Sequence, residues 1–309
     1  MQKEVDVAIV GGGIAGLTAA LYTKRANLNV CVIDRYAFGG KLAKLGEIEN
    51  YPGFEGISGP ELAYKLTEQA TKNEIELIYG NVVSVSKKEN LFFVQTEEQT
   101  IHAKAVIIAT GTIEKQLGIP GEKEFLNRGV SYCGTCDGPI YRNKDVAVIG
   151  HLDTALDEAS YLAGIVKTLY LVFSVDKEKA DEDKLKKLLS HGNVVLYEKT
   201  AAKTISGTDR VEKLTIENLL TNEEKDLSVN AVFPYVGQKS LTEFLSNFNL
   251  ETKNGYLIVN QDMETNVAGL YAAGDTNSKK LRQLVTAASD GSIAATAAIR
   301  YVKVTLRNK

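Results

Sequence analysis

Residues 5–10, Val5-Asp6-Val7-Ala8-Ile9-Val10, form a short and almost unbroken apolar run, the pattern of a strand buried on both faces. A glycine cluster follows, Gly11-Gly12-Gly13-Ile14-Ala15-Gly16, and residues 17–23 then have helical character. A second apolar run, Asn29-Val30-Cys31-Val32-Ile33-Asp34, ends in an acid, so the opening reads as a strand–helix–strand unit. Beyond it the pattern predicts a polar loop to Asn50, a helix over 59–72 and strands over 76–85 and 91–96. A third buried run, over 105–111, closes this part.

A second start comes at Asp145-Val146-Ala147-Val148-Ile149-Gly150, where another strand runs into an Ala/Glu-rich helix over 154–162 and a strand over 168–173. The unit thus recurs at a long offset, which indicates two nucleotide-domain-like units and not a solenoid. Near the C-terminus Gly269-Leu270-Tyr271-Ala272-Ala273-Gly274-Asp275 resembles the end of the first unit, and an Ala-rich helix is expected over 286–301. Two stretches carrying Gly and Pro, 117–122 and 233–240, read as hinges. The simplest architecture is α/β, with two Rossmann-like domains, the second inserted into the first.

Composition narrows the class. The chain has 309 residues, 36 Lys+Arg against 39 Asp+Glu (net charge −3), 44% hydrophobic and 24% charged residues. That is ordinary globular composition, long enough for roughly two domains. Near-neutral charge asks for no nucleic-acid partner, and no apolar run approaches the ~20 residues a bilayer span needs. The N-terminus passes from charges straight into a strand without the regions of a signal peptide. With 3 cysteines there is no disulfide framework. A cytoplasmic enzyme is expected.

Two sites carry chemistry. Gly11 permits a tight turn, Gly13 lets the backbone approach a pyrophosphate and Gly16 allows close helix–strand packing, while the helix N-terminus offers N–H groups to phosphates. Asp34, at the end of the next strand, is placed to accept hydrogen bonds from a ribose. Cys133-Gly134-Thr135-Cys136-Asp137 is a CxxC pair at an expected helix start, able to cycle between dithiol and disulfide. A metal site would need further ligands, and His102, His151 and His191 have no ligand spacing to the pair, so no metal is expected. A purely structural disulfide is the remaining alternative, and Cys31 reads as core.

These motifs, with Ile48-Glu49-Asn50-Tyr51-Pro52-Gly53-Phe54, Ala109-Thr110-Gly111-Thr112, Ser131 to Gly138, and Arg282-Gln283, resemble low-molecular-weight thioredoxin reductases in order along essentially the whole chain. The resemblance implies an FAD domain over 1–116 and 241–309, with a module over 117–240 inserted that carries the redox-active CxxC. It implies flavin contacts at Gly11, Gly13, Gly16, Asn50, Gly111, Gly274, Asp275 and Gln283, and further ones at Asp34, Gly39, Gly40 and Lys41. It also implies a homodimer, a thioredoxin partner, Cys136 as the flavin-proximal sulfur, Cys133 as the interchange thiol and Asp137 as the acid–base group. Since one sulfur pair serves both flavin and partner, the inserted domain is expected to rotate about the hinges.

One departure stands out. Where the family's inserted domain opens with GGGxSA or GGGxTA, this chain reads Gly150-His151-Leu152-Asp153-Thr154-Ala155, and where HRR falls it reads Phe173-Ser174-Val175. Backbone approach to a pyrophosphate and cations for a 2′-phosphate are both missing. That pattern is similar to the ferredoxin-dependent flavin thioredoxin reductases, so ferredoxin is expected as electron donor. Lys184, Lys186, Lys187, Lys279, Lys280 and Arg282 are candidate docking cations. The alternatives are an ordinary NAD(P)H-dependent reductase with a divergent nicotinamide site, a flavin-linked disulfide oxidase, and a redox-inactive FAD-binding regulatory module.

Overall fold

A computed structural model describes residues 2–307. The chain divides into two compact units, Met1–Ile113 with Lys239–Lys309, and Glu114–Gln238. The first unit opens with β1 (Gln2–Val10), α1 (Ile14–Arg25) and β2 (Val30–Asp34), then a small ribbon of β3 (Glu47–Ile48) and β4 (Ile57–Ser58). Next come α2 (Gly59–Lys72), β5 (Glu76–Tyr79), β6 (Val82–Lys88), β7 (Leu91–Thr96) and β8 (Thr100–Ile108), and β9 (Thr112–Glu114) leads out. The local signals explain α2: the Ser58 hydroxyl accepts from the Glu61 N–H at 3.3 Å, Pro60 lies in the first turn and Lys72 in the last. The single strand expected over 76–85 is two strands. β5 pairs parallel with β2, whereas β6 pairs antiparallel with β7.

The inserted unit holds α3 (Gly134–Asp137), β10 (Asp145–Ile149), α4 (Asp153–Ala163), β11 (Thr168–Val172), α5 (Glu182–Leu189) and β12 (Val194–Tyr197). They are followed by β13 (Thr200–Gly207), β14 (Val211–Asn218), β15 (Glu224–Ser228) and β16 (Ala231–Pro234). The chain returns through β17 (Gln238–Ser240), which pairs with β9, to β18 (Thr252–Lys253), β19 (Tyr256–Leu257), β20 (Leu270–Ala272) and α6 (Leu284–Arg307).

The main sheet of the first unit has the order β5-β2-β1-β8-β7-β6. β8 changes neighbour along its length: Thr100–Ala103 pair antiparallel with β7, and Val106–Ile108 pair parallel with β20. Alternation along β1 builds two cores. Val7 and Ile9 lie with Leu17, Ala294 and Ala298 of the helices, while Ala8 and Val10 lie with Phe92, Val94 and Ile108. Cys31 is fully buried in the second cluster, as core.

In the inserted unit the parallel sheet β12-β11-β10-β16 is covered differently on its two faces. Val146 and Val148 pack with Leu156, Leu162 and Leu188 of the helices, and Ala147 and Ile149 pack with Leu214, Ile216 and Leu227 of the antiparallel sheet β13-β14-β15. The expected hinge over 233–240 contains the unit boundary Gln238/Lys239, and the one over 117–122 lies just inside the inserted unit. Phe233 and Pro234 belong to β16, a buried strand, and the 117–122 loop is pinned by Glu122. Glu122 is 2% exposed, and its carboxylate accepts from the N–H groups of Leu117 and Gly118 (2.8 Å each) and the Tyr132 hydroxyl (2.7 Å). A loop anchored by three donors is a fixed part of its unit, whatever its Gly and Pro content.

Candidate active site

In the first unit, β1, β2, β8 and β20 run parallel, and the glycine cluster, Asp34, Gly111 and Gly274-Asp275 all follow their C-terminal ends. This is where open parallel sheets take ligands. Each glycine has a distinct reason. Gly11 turns the chain at φ +108, where a Cβ would run into the Ala109 carbonyl, and a Cβ on Gly16 would run into the Gly11 carbonyl. Gly13, the N-cap of α1, has an unremarkable φ of −74, and a Cβ there would meet nothing within 4 Å. The fold does not need glycine at that position, and the open space would admit a ligand to the first turn of α1. The same holds for the space at Gly111, where nothing lies within 4 Å and φ is +64. Gly40 faces Gly13, with a Cβ position 3.1 Å from its Cα, and Gly39 donates to the Gly12 carbonyl at 2.8 Å.

Asp34 is committed to the loop: its Oδ2 accepts from Gly12 N–H at 2.6 Å and its Oδ1 from Tyr36 N–H at 2.8 Å. Each oxygen keeps a second lone pair for a ribose hydroxyl, so the bracing and the expected contact are compatible. Lys41 donates from Nζ to the Thr112 hydroxyl at 2.7 Å, and Asn50 Nδ2 to Gln283 Oε1 at 3.2 Å. Each pair joins residues far apart in sequence. Gly111 N–H donates to Thr276 Oγ1 at 2.8 Å, and Gly274 N–H to Asp290 Oδ2 at 3.0 Å. Asp290 also pairs with Lys279 Nζ at 2.6 Å. Sequence reading missed Thr276 and Asp290; a lone acid within an Ala-rich helix was the available signal for the latter. The open glycine cradle and these donors fit a flavin dinucleotide.

The basic cluster expected near here is not a free patch. Lys279 is held by Asp290; Arg282 stacks over Tyr256 at 4.2 Å and donates to the Lys279 and Asn277 carbonyls. Lys184 pairs with Asp157 at 2.8 Å, while Lys186, Lys187 and Lys280 are exposed.

In the inserted unit Cys133 and Cys136 are joined by a disulfide with Cα atoms 5.3 Å apart. Cys133 is the N-cap of α3, and its sulfur accepts from Cys136 N–H at 3.2 Å. Cys136 is exposed and Cys133 half-buried; Asp137, also half-buried, closes the turn by donating its N–H to the Cys133 carbonyl at 3.1 Å. Beneath the helix, Gly134 N–H donates to the Tyr235 hydroxyl at 2.7 Å, and that hydroxyl donates to Glu158 Oε2 at 3.2 Å. Burial pushes the Glu158 carboxyl above its ordinary range, opposed by its hydrogen bond from the Tyr235 hydroxyl. Burial likewise pushes the Tyr235 phenol up. Neither residue was singled out by its sequence context.

The turn from β10 to α4 keeps Gly150 at φ +139, but the next two positions carry side chains. His151 lies edge-on to Phe173, centroids 6.1 Å apart, and Leu152, the N-cap of α4, is 51% exposed. Among the described residues there is no group of three or more His, Cys, Asp or Glu arranged to hold a metal ion, and no helix long and apolar enough to cross a membrane.

Comparison with known proteins identifies the family. The family model described as pyridine nucleotide-disulphide oxidoreductase matches residues 5–291. The chain is 40% identical to the thioredoxin reductase of Mycoplasma pneumoniae over 95% of this chain and 94% of that one. Among solved structures, Lactococcus lactis thioredoxin reductase matches with a TM-score of 0.88 and 35% identity, over 97% of this chain and 99% of that one. A ferredoxin-flavin thioredoxin reductase from Clostridium acetobutylicum matches with a TM-score of 0.55 and 31% identity, over 100% of both chains. An FAD-type glycine cradle in one unit, a surface disulfide in the other and whole-length similarity lead to one conclusion: the chain belongs to the pyridine nucleotide-disulphide oxidoreductases and, within them, to the low-molecular-weight thioredoxin reductases, which bind FAD.

Proposed function

We propose that Cys133 and Cys136 are the redox couple through which this flavoprotein reduces the disulfide of a thioredoxin. The observation that carries the reading is a disulfide closing the first turn of a helix, with Cys133 half-buried, Cys136 exposed and an acid one residue beyond. FAD supplies a two-electron carrier; Gly13, Gly40 and Gly111 would leave room for its phosphates at the backbone, and Gly11, Gly16, Gly39 and Gly274 would shape the turns around them. Asp34, Lys41, Asn50, Asp275 and Gln283 would hold its polar groups.

The chain's own sulfurs perform the exchange. Two electrons and one proton cleave the Cys133–Cys136 bond to one thiol and one thiolate. The Cys133 thiolate attacks the partner's disulfide, forming a mixed disulfide and releasing one partner thiolate. The Cys136 sulfur then attacks Cys133, restoring the intramolecular disulfide and releasing the second. Asp137 supplies and takes the proton at the sulfur beside it. The test is Cys136→Ser: it traps oxidised thioredoxin as a mixed disulfide through Cys133, detected as a mass adduct that dithiothreitol removes. No adduct, with flavin bound and Cys133 reduced, would refute the assignment.

For the electron donor, the relatives favour a nicotinamide dinucleotide at a divergent site. The plain thioredoxin reductases match at higher identity and, for Lactococcus lactis, a much higher TM-score than the ferredoxin-flavin enzyme. The internal pairing of Lys279 and Arg282 also weakens the case for docking an acidic donor. A ferredoxin donor is the second reading, supported by His151 and Leu152 at the β10–α4 turn and by the absence of cations at Phe173-Ser174-Val175. Anaerobic stopped-flow bleaching of the flavin by NADPH, NADH and reduced ferredoxin distinguishes them. Fast bleaching by either nicotinamide supports the first reading, and bleaching by ferredoxin alone supports the second. The proposal includes a homodimer in the cytoplasm, with sedimentation at two chain masses as its check.

A further inference from the structure

We propose that Glu158 and Tyr235 form a positioning pair that holds the first turn of the CGTC helix and sets how readily the Cys133–Cys136 disulfide is reduced. The inference rests on the reading of these cysteines as the redox couple. The geometry is specific. Tyr235, only 8% exposed, places its hydroxyl between two partners: it accepts from Gly134 N–H at 2.7 Å and donates to Glu158 Oε2 at 3.2 Å. Glu158 thus reaches the same turn of backbone through the Tyr235 hydroxyl. A Cβ on Gly134 would lie 2.6 Å from Glu158 Oε2 and 3.1 Å from the Tyr235 oxygen, so glycine is what lets both reach the backbone.

The consequence appears on reduction. Breaking the disulfide leaves a thiolate whose natural donors are the amides at the start of this helix, where Cys136 N–H already points at Cys133 Sγ at 3.2 Å. The Gly134 amide is engaged by the Tyr235 oxygen, itself tied to the Glu158 carboxyl, and is withheld from the sulfur. A carboxylate there also repels a thiolate. Both effects destabilise the thiolate, raise the thiol's pKa and make the dithiol the stronger reductant. Other charges stay constant across the variants: Asp137 adjoins Cys136, Asp157, beside Glu158, is held by Lys184 of α5 at 2.8 Å, and Glu114 acts on Tyr235 at longer range.

The test uses Glu158→Gln, which removes charge and keeps shape, and Tyr235→Phe. Two readouts lie outside turnover. The first is the pH profile of Cys133 alkylation by iodoacetamide in a Cys136→Ser background, where Cys31 stays silent because burial pushes its thiol up to about 12. The second is the equilibrium of the flavin-loaded protein, carrying both cysteines, with a dithiothreitol buffer. There the reductant's two thiols become a disulfide as the protein's disulfide becomes two thiols. Glu158→Gln is expected to move the alkylation profile toward lower pH and shift the equilibrium toward the protein dithiol by about tenfold, which is about 30 mV for a two-electron couple. Tyr235→Phe moves both readouts the same way, and Glu158→Asp, which keeps the charge, restores them toward wild type. Lower thermal stability in the variants with an unchanged profile and equilibrium would make the pair merely structural and overturn the proposal, as would a shift in the opposite direction. If the wild-type disulfide itself does not exchange with the buffer, it is the redox reading of the cysteines that fails.

Discussion

Replacing Gly13 with Ala should separate flavin binding from folding. At Gly13 φ is −74 and an added Cβ meets nothing within 4 Å, so the fold itself can accommodate Ala. Two opposing contributions act on the flavin-free protein. Ala restricts the unfolded chain, stabilising by ~0.4–1 kcal/mol, and it is a poorer N-cap than Gly, costing about as much. The sum lies within about 1 kcal/mol of zero. The flavin-loaded protein is different, because the methyl group occupies the space through which a phosphate reaches the first turn of α1. Losing one or two charge-assisted hydrogen bonds there, at ~1.5–3 kcal/mol each, weakens FAD binding by at least about tenfold. The assay pairs thermal unfolding of deflavinated protein with titration of FAD by quenching of its fluorescence. Wild-type affinity in Gly13→Ala would refute the claim that the backbone at Gly13 meets the cofactor. A collapse of apo stability would show that the space is not open. Gly16→Ala is the contrast, since its Cβ runs into the Gly11 carbonyl and should damage the flavin-free fold directly.

Asp290→Ala removes the acceptor for Gly274 N–H and the partner of Lys279, whose side chain is 16% exposed. It should cost about 2–4 kcal/mol in urea unfolding, with part recovered in a double variant with Lys279→Met, because the orphaned cation is then gone too. Cys31 gives a pH dependence: burial pushes its thiol from 9.0 up to about 12, so the unfolded chain loses that proton first. Its contribution is intact below pH 9 and falls by up to about 1.4 kcal/mol per pH unit above it. Cys31→Ala should therefore flatten the alkaline fall in stability between pH 9 and 11, and an unchanged slope would show that Cys31 is not responsible.

What the sequence disclosed follows from the range of the interactions involved. The β1–α1–β2 opening and α2 are specified by signals within a few residues: buried runs, a glycine turn, a serine cap. The Cys133–Cys136 pair is likewise local. The sheet β13-β14-β15 was not read, because residues such as Thr200, Lys213 and Asp226 make its strands half-polar, and only pairing across the sheet defines them. The anchoring of the 117–122 loop was not legible, because it comes from Glu122, whose three donors composition cannot reveal. Asp290, Glu158 and Tyr235 stayed hidden for the same reason, since each acts on backbone brought to it by another element.

The discontinuity of the first unit has a consequence for biosynthesis. The inserted unit is one continuous stretch, Glu114–Gln238, and can complete its cores as soon as it leaves the ribosome. The unit that precedes it cannot: β8 lacks β20, and α1 lacks α6, whose Gly291 sits so close that a Cβ would run into the Ala15 carbonyl. At ~5–20 residues per second, translation from Ile113 to Leu270 takes roughly ten to thirty seconds, during which the apolar face of α1 stays uncovered. The proposed flavin contacts Gly274, Asp275 and Gln283 emerge only at the end of that interval, so on that reading the flavin is captured by an almost finished polypeptide. The nascent N-terminal segment is therefore where a holding chaperone would be needed, and mutations that slow closure of α6 onto α1 should lower the yield of loaded protein even where they leave its final stability unchanged.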